Sequence, residues 1–239
     1  MEGLKGYKYE SFTFEGVDAI IVFPSVAPIG KLALKTLYWT AFPDVEMKLL
    51  DKGFHVACIQ SRTRFATEDD CDLKARFVEF VAEKYNLDKK CVPVGMSCGG
   101  GIAVNFAGRH PELVSCMWID APVLNFNDFP GRLGNALYEK IWDNEFTVAY
   151  PNIKRYQLMN FPHHPICQVD TLIAHRIPIL MVYGKEDNTV LYEKNGLLME
   201  QAMEGTGLLT VIPVNARGHH PHGKIDDNTE IVDYIMAHC

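Results

Sequence analysis

The chain has 239 residues, 48% of them hydrophobic, and a formal net charge of −7. Length and apolar content suffice for one packed domain, and the mild acidic balance argues against a general nucleic-acid binder, which would present a basic face. Seven cysteines, an odd number without regular spacing, read as reduced core thiols and not as a disulfide framework or a zinc module.

Met1 to Gly6 shows no apolar signal region, and no run approaches the ~18 apolar residues of a spanning helix. The expectation is a cytoplasmic protein without a membrane partner. The oligomeric state stays open, a homo-oligomer included.

In chain order, Tyr7 to Phe14 alternates in character and suggests a half-exposed strand. Glu15-Gly16 turns the chain into Ala19 to Phe23, a continuous apolar run expected to be buried on both faces. Pro24 ends it, and a loop from Ser25 to Gly30 follows. Leu32 to Phe42 reads as the start of a helix, and Asp44 to Lys52 as a second, capped by Asp44 and stopped by Gly53. His55 to Gln60 is a strand. Thr67-x-x-Asp70 resembles a capping box, and the helix it opens carries Leu73, Phe77, Phe80, Val81 and Tyr85 at helical spacing.

Cys91 to Val94 forms the next strand, followed by a helix that ends at Gly108 before Pro111. Val114 to Ile119, Ile177 to Tyr183 and Leu208 to Ile212 are further strands, and Thr229 to His238 a final helix. Pro93 and Pro178 cannot donate to a ladder, so their strands should be short or begin near the proline. Strands alternating with helices imply a mostly parallel sheet covered on both faces, in a single α/β domain spanning 1–239. About fifty residues, Asn125 to His175, break the alternation and are rich in aromatics. A stretch this long reads as a small, largely helical cap of about 125–175 over the site.

Ligands of such sheets bind at the carboxyl ends of the strands. Ser25, Arg62, Ser97, Asp120 and Asp187 lie at predicted strand ends. Gly95-Met96-Ser97-Cys98-Gly99 is a Gly-x-Ser-x-Gly between a strand and a helix. A sharp turn there leaves no room for side chains two residues either side of its apex. The apex serine is exposed beside backbone N–H groups and a helix N-terminus, which favour a developing negative charge. Cys98 would need small residues at 96 and 100, and Met96 fails, so the register selects Ser97.

A serine hydroxyl needs a base, commonly a histidine held by a carboxylate. Asp187, after a buried strand, is the acid candidate, with Asp120 its rival. The histidine comes from Arg217-Gly218-His219-His220-Pro221-His222-Gly223, where His219 competes with His220 and His222. Adjacent histidines cannot easily share one ion and no carboxylate or cysteine sits at ligand spacing, so no metal is expected; the early strand lacks Gly-x-Gly-x-x-Gly and no Walker lysine follows the glycine-rich turn, so no other cofactor is expected either.

With Gly95 to Gly99, Gly184-x-x-Asp187 after a strand, and Gly218-His219, the chain resembles the α/β-hydrolase fold family over essentially its whole length. The resemblance implies Ser97 as nucleophile, His219 as general base and acid, and Asp187 as the orienting carboxylate. It implies an oxyanion hole from the N–H of Cys98 and one from an earlier loop, which maps to Ser25 or Val26 since Pro24 has no N–H. The implied activity is that of a serine esterase cleaving a small carboxylic ester through an acyl-enzyme. A small peptidase or amidase, an acyltransferase and a non-catalytic small-molecule receptor are the alternatives.

Arg62 and Arg64, in the loop after the strand His55 to Gln60, are candidate substrate-binding residues, and Lys31 adds charge from the presumed oxyanion loop. They favour a polar ester such as an acylated sugar or hydroxy acid. The competing reading pairs both arginines with Glu68, Asp69 and Asp70 next door.

Overall fold

A computed structural model describes residues 1–239. Eight strands form one sheet in the order β1-β2-β4-β3-β5-β6-β7-β8. They are β1 (Tyr9–Phe14), β2 (Val17–Val22), β3 (Leu32–Lys35), β4 (His55–Ile59), β5 (Cys91–Met96), β6 (Met117–Asp120), β7 (Ile179–Gly184) and β8 (Leu209–Val214). β2 runs antiparallel to both β1 and β4, and every pairing from β4 to β8 is parallel. The helices are α1 (Asp44–Asp51), α2 (Glu68–Tyr85), α3 (Cys98–Arg109), α4 (Ala136–Ile141), α5 (Val169–Ala174), α6 (Gly196–Ala202) and α7 (Thr229–His238). No helix is long and apolar enough to cross a membrane.

Two apolar clusters sandwich the sheet, as the alternation of strands with helices requires. One packs Phe77, Val81, Val104 and Phe106 of α2 and α3 against one face. The other packs Leu49 and Leu50 of α1 with Ile231 and Ile235 of α7 against the opposite face.

The largest departure from expectation is β3. The segment Leu32 to Phe42 is not a helix: Leu32–Lys35 is a fully buried strand between β4 and β5. Leucine, alanine and lysine favour helices intrinsically, but a central sheet position overrides a weak propensity over four residues. Lys35 is buried and ion-paired with the equally buried Glu46 of α1, while its Nζ donates to the Ala41 carbonyl at 3.0 Å. That lysine ties the loop after β3 to the domain.

Pro93 sits within β5, not at its start. The Cys91 carbonyl accepts from Ser115 N–H on the β6 side, and the Val94 carbonyl from Thr36 N–H on the β3 side. By alternation Pro93 faces β6, where the ladder begins only at Val94, so its missing donor costs little. Pro178 directly precedes β7, and its carbonyl accepts from Met117 N–H.

Residues between β6 and α5 cover the carboxyl ends of the strands. α4 continues into a π turn, Trp142–Phe146, and a 3-10 turn follows at Arg155–Asn160. Phe126, Phe129, Trp142, Phe146, Leu158 and Phe161 pack with Phe65 and Cys98 in a third cluster of their own. Tyr138 Oη donates to the Thr189 carbonyl at 2.7 Å and Tyr150 Oη to the Phe65 carbonyl at 3.0 Å, fastening this cap at two points. Val169 and Leu172 of α5 bury themselves in the main core, so the chain has rejoined the domain there.

Candidate active site

Ser97 occupies the turn between β5 and α3 with φ 54° and ψ −124°, a region that costs a non-glycine residue of the order of 1–3 kcal/mol. The neighbours explain how the turn closes. A Cβ on Gly95 would lie 2.2 Å from the Gly99 carbonyl oxygen, and one on Gly99 3.1 Å from Leu37 Cβ. The serine N–H is held by the Asp120 carbonyl at 2.8 Å, joining the turn to the end of β6.

His219 Nε2 lies 3.0 Å from Ser97 Oγ, and His219 Nδ1 lies 2.7 Å from Asp187 Oδ2. The other oxygen of Asp187 accepts the N–H groups of Thr189 and Val190 at 2.8 and 3.0 Å. Both carboxylate oxygens are therefore used, which keeps the carboxylate an acceptor and assigns the shared hydrogen to Nδ1. His219 Nε2 then presents a lone pair to the serine. Asp187 and the histidine loop are joined directly, since Glu186 N–H donates to the Arg217 carbonyl at 3.0 Å.

The rival acid, Asp120, is occupied elsewhere. Its carboxylate, fully buried, accepts from Arg217 Nη1 and Nη2 at 2.8 and 2.6 Å, from Gly223 N–H at 2.6 Å, and from His222 Nδ1 at 3.1 Å. Burial alone would raise this carboxyl, but the hydrogen bonds from His222 and Arg217 outweigh it and hold it below the usual carboxylate range. Arg217 is equally buried, and its Nη1 also donates to the Gly223 carbonyl at 2.5 Å. Together these groups brace the loop 217–223 that carries His219. The sequence reading missed Arg217, although its place at the head of the histidine cluster was visible.

The histidines of that loop do not converge on a point. Their rings meet edge to face with centroids 4.7, 5.1 and 5.1 Å apart, and neither they nor any other three His, Cys, Asp or Glu side chains are placed to hold one metal ion. His220 stacks on Phe42, with centroids 5.6 Å apart. Burial and the neighbouring imidazoles His219 and His222 lower its pKa.

Ser25 does not reach the site. β2 is antiparallel to β4, so its carboxyl end lies at the amino ends of the parallel strands, away from Ser97, where Ser25 Oγ donates to Asp51 at 2.9 Å. Val26 shares that loop. Lys31 precedes β3, also at the far end, and pairs with Asp88 at 2.7 Å. The loop that does meet the turn at Ser97 follows β3, the segment expected to be helical. Thr36 Oγ1 sits 2.7 Å from the Gly99 carbonyl oxygen, and Tyr38 follows with φ 54° and lines the pocket. The Tyr38 N–H donates to no group of the protein.

Cys98 follows Ser97 with its side chain buried in the cap cluster, and burial pushes its thiol up to about 11. A thiol so poorly ionised at neutral pH makes a poor nucleophile there.

The two arginines separate. Arg62 is exposed and outside the pocket, because the Asp70 carboxylate takes the N–H groups of Arg62 and Thr63 at 3.2 Å each and turns the loop there. Arg64 lines the pocket and pairs with Glu145 of the cap through Nε at 2.6 Å and Nη2 at 3.0 Å. Neither arginine side chain pairs with Glu68, Asp69 or Asp70. The pocket holds about 550 Å³ and is bounded by Tyr38, Phe42, Phe129 and Ile141 beside Ser97 and His219. That volume suits a small molecule.

The cap also has a pH-sensitive joint. His164 is buried; its Nδ1 accepts from Phe126 N–H at 2.9 Å and its Nε2 donates to the Leu158 carbonyl at 2.7 Å. Burial depresses its pKa, although the Leu158 carbonyl works the other way. A depressed folded value means that the stabilisation is fully present above the unfolded value of about 6.5 and is lost as pH falls through the folded one. Hydrogen-exchange protection of cap amides, Phe126 first, is expected to fall from about pH 7 to about pH 5 relative to α3. Parallel protection in cap and α3 would remove His164 as the cause.

A family model described as the alpha/beta hydrolase fold matches residues 60–149. No curated protein matches by sequence. Among solved structures, Porphyromonas gingivalis dipeptidyl peptidase 4 superposes with a TM-score of 0.71 at 15% identity, over 98% of this chain and 35% of that one. Pyrococcus horikoshii acylaminoacyl peptidase gives 0.70 at 14% identity, over 90% and 38%. An S-formylglutathione hydrolase from Agrobacterium tumefaciens gives 0.64 at 16% identity, over 99% and 96%. The chain thus spans little more than a third of the two peptidases and nearly all of the third protein. The matching family model, the mostly parallel eight-stranded sheet with flanking helices and these superpositions agree: the chain has the α/β-hydrolase fold.

Proposed function

We propose that the protein is a serine hydrolase that cleaves a small carboxylic ester through an acyl-enzyme on Ser97. The observation that carries this reading is the chain of contacts from Asp187 through His219 to Ser97, at 2.7 and 3.0 Å, on a strained strand-to-helix turn. His219 Nε2 takes the Ser97 proton as Oγ attacks the ester carbonyl carbon. The C=O π bond opens and its electrons move onto the carbonyl oxygen. The N–H groups of Cys98 and Tyr38 receive that oxyanion. Collapse breaks the bond to the alcohol oxygen, which takes the proton from His219 and leaves. Water then attacks the acyl carbon with His219 again as base, and the acid departs as Ser97 recovers its proton. Asp187 stabilises the imidazolium throughout without being protonated.

The volume of the pocket beside Ser97, about 550 Å³, is that of a small-molecule site and favours a small ester. A peptidase is the second reading, because two of the superposed proteins are peptidases by name. All seven cysteines are unpaired and five are buried, which supports a reducing, cytoplasmic setting.

The test is labelling with a fluorophosphonate followed by peptide mapping, alongside rates on 4-nitrophenyl acetate and on an aminoacyl 4-nitroanilide. Modification of Ser97 with ester turnover well above anilide turnover supports the proposal. Faster anilide cleavage would transfer it to the peptidase reading, and a folded protein inert to all three probes would end it.

A further inference from the structure

His222 lies outside the Ser97–His219–Asp187 chain, yet it forms a second histidine–carboxylate pair in the same pocket. Its ring is 5.1 Å from that of His219 and lines the cavity beside Ser97. Nδ1 is 3.1 Å from Asp120 Oδ1. Arg217 and Gly223 also donate to that carboxylate, so it is an ionised acceptor and the hydrogen between Asp120 and His222 belongs to Nδ1. The charge of Asp120 is already matched by Arg217, buried against it. With Nδ1 committed to Asp120, Nε2 is the ring atom left to carry a lone pair.

Nε2 has no partner in the protein, and it is not among the buried polar atoms sealed away without one. Arg217 and Gly223 hold the loop through the same carboxylate, so its bracing does not rest on His222 alone. The wall beside His222 is aromatic, with Phe42 edge-on to it at 5.4 Å and stacked on His220.

We infer that His222, whose ring lies 5.1 Å from the His219 ring that protonates the departing alcohol, is a specificity residue whose Nε2 accepts a hydrogen bond from a hydroxyl carried on the alcohol side of the scissile ester. The substrate class is then a partly acylated polyol or sugar, with the apolar face of its carbon skeleton against Phe42. This rests on the ester-hydrolase reading above and narrows it. A lone pair held at a fixed point rewards a hydroxyl and leaves a plain alkyl chain facing an unsatisfied polar atom.

The experiment compares glycerol 1-acetate with propyl acetate, which differ only in the alcohol hydroxyls. Wild type is expected to prefer the glycerol ester in kcat/KM by about tenfold, the worth of one such contact. His222→Asn keeps a donor at the Nδ1 position toward Asp120 and removes the pocket acceptor, so the preference should collapse toward unity. His222→Gln returns an acceptor oxygen near the Nε2 position and should restore most of it. An unchanged preference in His222→Asn overturns the inference, as does equal loss on both esters in both variants, which marks a purely structural role. If His222→Asn does not fold, histidine ¹⁵N shifts of the wild type decide: an unprotonated Nε2 on His222 supports the inference and a protonated one overturns it. Ester turnover through Ser97 without preference sinks this inference alone; no ester turnover at all sinks the ester reading with it.

Discussion

Ser97→Ala is expected to lower kcat on an acetate ester by about 10⁴- to 10⁶-fold while leaving the fold intact. The physical ground is the geometry at the turn. Ser97 Oγ is the atom 3.0 Å from His219 Nε2, and the neighbouring Cys98 thiol is buried and held protonated, so no second nucleophile stands ready. His219→Ala should cost nearly as much. The double variant should be little worse than either single one, because nucleophile and base act as a unit. His220→Ala should lose far less, since its ring packs on Phe42 and contacts neither Asp187 nor Ser97. Steady-state rates with circular dichroism as a fold check decide this. Retained turnover in Ser97→Ala would remove the nucleophile assignment, and equal losses at His219 and His220 would remove the base.

The second large effect concerns stability. Asp120→Ala is expected to destabilise the protein by about 3–5 kcal/mol, because it strands the buried Arg217 guanidinium without its counter-charge. It also removes the acceptor for Gly223 N–H and His222 Nδ1. Arg217→Met alone should be comparably costly by leaving the carboxylate uncompensated. The double variant should cost much less than the sum, since it buries no unpaired charge. Urea denaturation of the four proteins measures this coupling, and simple additivity would show that the pair does not act as one unit. Asp120 is depressed below its ordinary range, so its contribution is fully present above about pH 4 and drains away as pH falls through the folded value. The acid limb of the wild-type stability curve should therefore flatten in Asp120→Ala.

Much of the architecture was legible in the chain. The alternation of β-rich and helical runs implied a mostly parallel sheet, and seven of the eight strands lie where apolar runs and turn residues placed them. The turn at Ser97 was legible because its demands are local: glycine at 95 and 99 leaves space within a few residues of Ser97. The order serine, acid, histidine could be read because each follows a recognisable strand.

What escaped was set by contacts between distant segments. Leu32–Lys35 has helical propensity and becomes a strand only because β4 and β5 lie on either side of it. Missing that strand put the expected oxyanion loop at Ser25, at the end of the sheet away from Ser97, and left the loop around Tyr38 unconsidered. The direction of β2, which decides where Ser25 lies, depends on pairing and not on its own residues. Arg64 and Glu145 are 81 residues apart, and nothing local in either marks the other as partner. Asp120 and Asp187 both follow strands; tertiary placement gave one to Arg217 and set the other against His219. Local steric need and hydrophobic period are written in neighbouring residues, so sequence alone determined the sheet class and the turn at Ser97. Ion-pair partners, strand direction and the tautomers of buried histidines depend on groups brought together only by folding, and the tertiary structure decided those.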